Sequence, residues 1–287
     1  MNDPEPTSLR LGFSPCPNDT FMFHALVTER VPTEGVNWDV QIEDIERLNQ
    51  LAFEEAIDVT KISFHAFGNL RDRYALLASG AALGRGCGPL LVMRETAVKS
   101  GLDKARIAIP GWNTSATLLL RMFAPELRRE QFVEMEFDEI LRATAQNEVD
   151  AGLIIHESRF TYQQYGLTSL VDLGDWWEAE SGRPIPLGGI VVHRKIGGEM
   201  MRRIETALRA SVEHARAHPE ESREYIQQHA QEIDPDVQDS HIALYVNDFS
   251  VDLREEGTNA VKAFFELATE RGLLTPFDGP IMAAEIP

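Results

Sequence analysis

The chain has 287 residues, 43% of them hydrophobic and 25% charged, as in a globular protein with one large domain or two modest ones. Its formal net charge of −19 argues against a nucleic-acid-binding protein and requires any anionic ligand to be held by locally placed donors. The absence of a long apolar run and of signal-peptide features, together with only two cysteines, predicts a cytoplasmic protein that binds no membrane.

The chain alternates short apolar strands with helical patterns in two series. The first series predicts a strand over 9–14, a helix over 18–30, a strand over 37–45, a helix over 46–56 and a strand over 58–64. The second predicts a strand over 106–110, a helix over 114–127, a strand over 131–137, a helix over 138–149 and a strand over 151–156. Such alternation indicates an α/β protein whose sheets are parallel and covered by helices.

Two glycine-led apolar segments, GPLLVMR (88–94) and GGIVVHR (188–194), bracket the second series. A pair of such strands around an inserted unit is what two crossovers between lobes would produce. We therefore expect a large lobe formed by 1–93 plus 189–287 and a small inserted lobe at 94–188. The nearly all-helical C-terminal region would cap the large lobe, with Pro219 and Pro235 at the first positions of new helices.

Ligands of open α/β sheets bind beyond the carboxyl ends of the strands, so the residues that follow each strand are site candidates. The first strand ends in SPCPND (14–19), in which Ser14 and Asn18 are candidate substrate-binding residues and Asn18 is also expected to cap the next helix. The third strand ends in Lys61, Ile62 and Ser63. The alternative interpretations are a stiff double-proline connection at the first end and a solvated surface lysine at the second.

The segment PGWNTSAT (110–117) opens a helix in the small lobe. Asn113 is expected to cap this helix, which places Thr114 and Ser115 in its first turn. The turn contains no acid, so the positive end of the helix stays unneutralised and suits a carboxylate or phosphate. The other interpretation is a well-capped helix without a ligand. No P-loop and no strand-led GxGxxG are present, which argues against a nucleotide.

His156 follows the last strand of the inserted series and is predicted to face this helix start. An imidazole with an ordinary pKa of about 6.5 would act there as a general base without heavy tuning, although a structural histidine is the alternative. Neither HExxH nor a Cys/His cluster of ligand spacing is present, so no metal is predicted, and no GxSxG marks a serine hydrolase. The other histidines are assigned no role: His24, His65, His193, His214, His218, His229 and His241.

Five segments together resemble the 1,4-dihydroxy-6-naphthoate synthases of the futalosine route to menaquinone: SPCPNDTFMFHAL, TKISFHAFG, GAALGRGCGPLLV, PGWNTSATLLL and AGLIIHESRFTYQQYGL. The likeness continues through residues 171–190 and 245–257. It implies the fold of the type II periplasmic binding proteins, two α/β lobes joined by two crossover strands. It also implies a lyase that opens and cleaves cyclic dehypoxanthine futalosine to the naphthoate, started by a general base and without a metal or organic cofactor.

The resemblance implies a role for individual residues. His156 matches the family's proton acceptor, and Lys61–Ser63 and the pair Thr114–Ser115 match its substrate-binding positions. Relatives are expected to have threonine at position 115, and the serine here keeps the hydroxyl. The substrate is a small carboxylate, and its receptor is either the helix start at Thr114–Ser115 or the ammonium of Lys61.

The sequence alone leaves two other functions open. The sister enzyme chorismate dehydratase shares the fold but is not expected to contain the stretch HESRFTY (156–162). A non-catalytic solute-binding protein would bind the ligand without turnover, and it would be expected to have a signal peptide. The sequence leaves the oligomeric state open.

Overall fold

The computed structural model describes residues 7–33, 35–231 and 234–287, and its strands form two separate sheets. In chain order the strands are β1 (Thr7–Phe13), β2 (Val36–Ile42), β3 (Val59–Ser63), β4 (Tyr74–Leu76), β5 (Ala82–Gly84), β6 (Leu90–Arg94), β7 (Ile107–Ile109), β8 (Phe132–Glu134), β9 (Ala151–Ile154), β10 (Leu167–Asp172) and β11 (Ile185–His193). The first sheet has the order β2-β1-β3-β11-β4, with β5 also paired to β11, and the second has the order β10-β6-β9-β7-β8. The predicted α/β class with two lobes is confirmed.

Helices cover both sheets. In chain order they are α1 (Pro17–Val27), α2 (Ile45–Phe53), α3 (Phe64–Leu70), α4 (Ser115–Phe123), α5 (Glu139–Ala145), α6 (Ser158–Thr161), α7 (Leu173–Ser181), α8 (Gly198–Ala217), α9 (Arg223–His229), α10 (Pro235–Tyr245), α11 (Asp248–Val251) and α12 (Arg254–Glu270). Among the described residues, no helix combines the length and the apolar character needed to cross a membrane.

The sheets are mixed rather than parallel throughout. The prediction of parallel strands is right for β1, β2 and β3 and for β7, β8 and β9. It is wrong for the strands that enter from the other lobe, because β11 runs antiparallel to β3 and β6 runs antiparallel to β9. Parallel neighbours require a helical crossover on the same sheet, and a strand that arrives from another lobe is free of that constraint.

The two glycine-led segments lie in different sheets. Strand β6 pairs with β9 and β10 in the second sheet, and β11 pairs with β3, β4 and β5 in the first. The chain therefore passes to the second sheet between Gly84 and Leu90 and returns between Asp172 and Ile185. The residue-level boundaries at 93/94 and 188/189 stay a prediction, and residues 1–6 of the proposed large lobe lie outside the described part.

Helix α8 packs along α1 and covers the first sheet. Its buried face repeats every three or four residues, as an amphipathic helix requires: Met201, Ile204, Leu208 and Val212. Each buried side chain of this size contributes about 1.5–3 kcal/mol of transfer free energy. Ser211 joins the same contact, since its hydroxyl donates to the Met22 carbonyl at 2.6 Å. Helix α10 begins at Pro235 as predicted, and the assignment of the whole C-terminal region to the large lobe stays a prediction.

Both asparagine caps predicted from the sequence are wrong. Helix α1 begins at Pro17, one residue earlier than expected, because a proline with fixed φ suits the first helical position. Asn18 therefore lies inside the first turn. Helix α4 is capped by Thr114, whose Oγ1 accepts from the backbone N–H of Thr117 at 3.3 Å. The side chain of Asn113 is directed to the other lobe instead.

Candidate functional site

A cavity, partly open to solvent, lies between the two lobes. Its wall contains seven residues that the sequence analysis selected: Ser14, Asn18, Lys61, Ser63, Thr114, Ser115 and His156. The side chain of Ile62 lies elsewhere, in the hydrophobic core, because successive side chains of a strand point to opposite faces. The segments that follow β1, β3, β7 and β9 thus bring the other predicted residues together.

The charge of Lys61 is compensated within the cavity wall by an ion pair. Its Nζ lies 2.9 Å from Oδ1 of Asp19, and neither side chain is more than 5% exposed. The same ammonium donates to the Gly80 carbonyl at 3.3 Å. Asp19 in turn accepts from the Ser14 hydroxyl at 2.7 Å. Because a buried charge is costly without a partner, Asp19 compensates Lys61 before any ligand enters.

Asp19 was not selected from the sequence, although a signal for it exists. It lies in the first turn of α1, where an acid interacts favourably with the helix dipole. In this turn the carboxylate faces the end of β1 and accepts from the backbone N–H of Ser14 at 3.2 Å. The dipole and these hydrogen bonds place a negative charge at the carboxyl end of the first sheet.

The hydroxyls of Thr114 and Ser115 are already engaged by the protein. Thr114 Oγ1 donates to the Gly111 carbonyl at 2.9 Å, and Ser115 Oγ donates to the Leu187 carbonyl at 2.5 Å. The Ser115 contact joins α4 to β11 of the other sheet. The turn itself contains no acid, as predicted. What the helix start offers a ligand is therefore its backbone N–H groups, with Ala116 also in the cavity wall.

Further hydrogen bonds hold the lobes together beside the cavity. Asn113 Nδ2 donates to Oε1 of Glu46, and Asn49 Nδ2 donates to Oε2 of the same carboxylate, at 2.8 and 3.1 Å. Burial raises the pKa of Glu46, although these two hydrogen bonds act in the opposite direction. His65 adds a second contact, since its backbone N–H lies 3.3 Å from Ser115 Oγ. The Asn113–Glu46 and His65–Ser115 contacts thus join the two lobes beside the cavity.

His156 lies two residues past the end of β9 in an unusual backbone conformation. Its φ is 55°, in the left-handed region that non-glycine residues rarely adopt and that often occurs at functional sites. The ring contacts Phe137 edge-on, with centroids 5.1 Å apart. Burial lowers the pKa of His156 to about 4, with the Lys61 ammonium acting in the same direction and Asp19 opposing it. The expectation of an ordinary pKa is therefore wrong, and the imidazole is neutral at pH 7.

A second histidine, His241 on α10, completes this wall of the cavity. It is fully buried, and its Nε2 lies 2.9 Å from Oδ1 of Asn18. Its ring lies nearly parallel to that of His156, at a centroid distance of 6.1 Å. His241 was assigned no role from the sequence. No local signal distinguishes it, because its partners are remote in the chain.

The two charged residues that follow His156 have separate surroundings. Arg159 is paired with Asp172 at 2.6 Å and donates to the Gly88 carbonyl at 2.6 Å, which ties the loop to α7 and to the crossover. Glu157 is buried, and its Oε2 lies 3.5 Å from Nδ1 of His241. Arg159 thus supports the loop, and Glu157 contacts the opposite lobe.

Three donor groups near the cavity lie close enough to suggest a metal site. The Cys16 thiol and the side chains of His156 and Glu157 have donor atoms within 4.8 Å of one another. A metal requires the thiolate, but burial and the Glu157 carboxylate raise the pKa of Cys16 well above its usual value. This environment does not suit a cation, and we assign no metal ligand among these residues.

Comparisons with known proteins find related sequences over nearly the whole chain. A family model described as menaquinone biosynthesis matches residues 9–270. A 1,4-dihydroxy-6-naphthoate synthase of Thermus thermophilus is 48% identical over 274 residues, covering 96% of this chain and 98% of the relative. One of Streptomyces coelicolor is 45% identical over 276 residues, covering 95% and 96%.

A solved structure establishes the fold. The periplasmic aliphatic sulphonate binding protein of Escherichia coli matches with a TM-score of 0.63 at 14% identity, covering 98% of this chain and 91% of that one. At this identity the likeness concerns the fold alone. The chain therefore has the two-lobed fold of the periplasmic binding proteins, as expected.

Proposed function

Since the chain belongs to the menaquinone biosynthesis family, we propose that it is a lyase that converts cyclic dehypoxanthine futalosine to 1,4-dihydroxy-6-naphthoate. The observation that carries the proposal is a neutral, half-buried imidazole, His156, at the wall of a cavity between two lobes. A neutral imidazole is free to accept a proton, and closure of the cleft excludes water from the reacting groups.

The reaction needs little more than proton transfer and positioning. His156 removes a proton from the substrate, the spiro ring opens, and the bond to the sugar-derived fragment is broken. The electron pair of the broken bond stays within the products, and His156 returns its proton to them. The reaction therefore consumes no oxidant and no reductant. Formation of the second aromatic ring drives the cleavage, and no cofactor is required.

The low pKa of His156 suits an anionic substrate. In the unliganded cavity, burial and the Lys61 ammonium both disfavour the imidazolium ion. A substrate carboxylate adds a negative charge to the same cavity and favours the imidazolium, which raises the pKa of His156 toward neutrality. The base therefore becomes effective when substrate is bound.

The start of α4 is the better receptor for the substrate carboxylate. Lys61 is already paired with Asp19 and hydrogen-bonded to the Gly80 carbonyl. Ser115 and Ala116 line the cavity at the positive end of a helix that has no acid in its first turn. Apolar residues complete the wall and suit the fused ring: Ile45, Ala82, Pro89, Ile155 and Leu187.

The decisive experiment is incubation of the purified protein with cyclic dehypoxanthine futalosine, followed by mass and NMR identification of the products. Chorismate is offered in a parallel reaction, and heat-inactivated protein is the control. We expect the naphthoate from the first substrate and no reaction with chorismate. Dehydration of chorismate would identify the sister activity, and binding of either compound without turnover would indicate a solute-binding protein.

A further inference from the structure

A continuous series of buried polar contacts crosses the cleft beneath the cavity. It runs from Lys61 to Asp19, from Asp19 to Asn18, from Asn18 to His241, and from His241 to Glu157. The first four residues belong to elements of the first lobe, and Glu157 follows β9 of the second. The last contact is therefore the one that forms when the lobes close.

The ion pair at one end fixes the hydrogens along the series. Asp19 is the partner of the Lys61 ammonium, so its carboxylate accepts hydrogen bonds. The Asn18 amide must therefore present its NH₂ group to Asp19, where Nδ2 and Oδ1 are 2.8 Å apart. Its carbonyl oxygen then faces His241 at 2.9 Å. Since that oxygen can only accept, Nε2 of His241 must carry a hydrogen.

This tautomer has a consequence at the other ring nitrogen. With its hydrogen on Nε2, a neutral His241 presents a lone pair at Nδ1, which lies 3.5 Å from Oε2 of Glu157. An ionised Glu157 would present a second lone pair at the same contact, and both atoms are shielded from water. Two acceptors that face each other in a buried site are unfavourable unless a proton lies between them.

We propose that His241 is a positioning residue of this site, which fixes the Asn18 amide through Nε2–H and shares one proton with Glu157 across the cleft. The proton converts a repulsive contact into a hydrogen bond that joins the lobes. The inference rests on the proposed function for its effect on turnover, but the position of the hydrogens can be tested without it.

The proton shared by His241 and Glu157 also affects the position of the general base, His156. Glu157 follows His156 directly, so anchoring Glu157 on His241 restrains the backbone at His156, whose φ of 55° needs support from its surroundings. Asn18, held by the same histidine, lines the cavity. Loss of His241 thus releases two groups at once. A displacement of about 1 Å in such a site costs on the order of 10²-fold in rate.

The tautomer is tested in wild-type protein labelled with ¹⁵N-histidine, with the His241 signals assigned by their loss in His241→Gln. We expect a protonated Nε2 and an Nδ1 whose shift lies between those of a bare and a protonated nitrogen, as a hydrogen bond produces. A bare Nε2, or an Nδ1 with the shift of a free lone pair, overturns the proposal. This measurement stands even if the protein does not turn over cyclic dehypoxanthine futalosine.

Kinetics test the positioning role. His241→Phe keeps a ring and removes both contacts, and we expect kcat to fall by tenfold to a hundredfold with a smaller change in KM. His241→Gln places an amide N–H near the former Nε2, so it should recover much of that loss. His218→Phe, at an exposed histidine, is the matched control. A wild-type kcat in His241→Phe, or equal losses of kcat in both His241 variants, overturns the positioning role. If His241→Phe fails to fold, the kcat of His241→Gln and the tautomer measurement test the proposal.

Discussion

The rings of His156 and His241 face each other across the cleft, 18° from parallel and with centroids 6.1 Å apart. They come from opposite lobes, so their approach depends on closure. The cavity wall therefore contains the neutral imidazole of His156 and the Lys61 ammonium, whose charge is compensated by the Asp19 carboxylate. This arrangement holds little net charge until an anionic ligand enters.

Replacement of His156 by asparagine tests the base. Asparagine tolerates a positive φ better than most residues, so the backbone at this position should be retained. We expect kcat to fall by about 10²–10⁴-fold, the usual contribution of a general base, with the melting temperature and product affinity near wild type. His218→Asn is the control at an exposed site. Turnover within a few-fold of wild type would make His156 a structural residue.

The pH dependence of kcat/KM should reflect the low pKa of His156. Because burial lowers this pKa to about 4 from an ordinary value of 6.5, the free enzyme keeps its base unprotonated as the pH falls through 6.5. We therefore expect kcat/KM to show no loss attributable to this group between pH 8 and 5, and a decline only as the pH approaches about 4. Initial rates at low substrate concentration provide the profile. A half-maximal value near pH 6.5 would contradict it.

Lys61→Met should destabilise the protein strongly, because it leaves the Asp19 carboxylate buried without its partner. Loss of one member of a buried pair costs about 3–5 kcal/mol. The double variant Lys61→Met/Asp19→Asn removes both charges and should recover most of the free energy of unfolding. Urea denaturation measures both, with the exposed Lys262→Met as control. A single variant as stable as wild type would show that the pair contributes nothing.

Thr114→Asp places a negative charge at the start of α4 while keeping a side chain that caps helices well. If the substrate carboxylate binds there, KM should rise at least tenfold. The melting temperature should fall as well, because a carboxylate at this buried position cannot donate to the Gly111 carbonyl as the threonine hydroxyl does. Thr114→Ser, which keeps the hydroxyl, is the matched variant and should resemble wild type. A KM unchanged in the aspartate variant would exclude this helix start as the receptor.

The contact between Asn113 and Glu46 predicts a role in closure. Asn113→Ala removes a hydrogen bond of 2.8 Å between the lobes without touching the wall of the cavity. We expect a larger radius of gyration than wild type by small-angle scattering, and a decrease when the naphthoate product is added, since ligand closes two-lobed proteins by hinge motion. Identical profiles for both proteins, with and without product, would contradict a hinge.

The amino-acid sequence by itself determined the elements and seven residues of the cavity wall. Alternation of strand and helix patterns placed Ser14, Lys61 and Ser63 at strand ends, and a sheet necessarily brings such ends to one edge. The acid-free first turn of α4 was also predicted, because first-turn composition is a local property, whereas the cap is Thr114 and not the predicted Asn113. The same reasoning placed His156 past the end of β9.

Only the tertiary structure decided how these groups are paired and charged. The antiparallel entry of β6 and β11, the pairing of Lys61 with Asp19 and the position of His241 beside Asn18 all depend on contacts between remote parts of the chain. The low pKa of His156 has the same origin, since burial is produced by every element packed around the cavity. Local periodicity carries no information about which side chains meet or how far water is excluded, and desolvation follows from both.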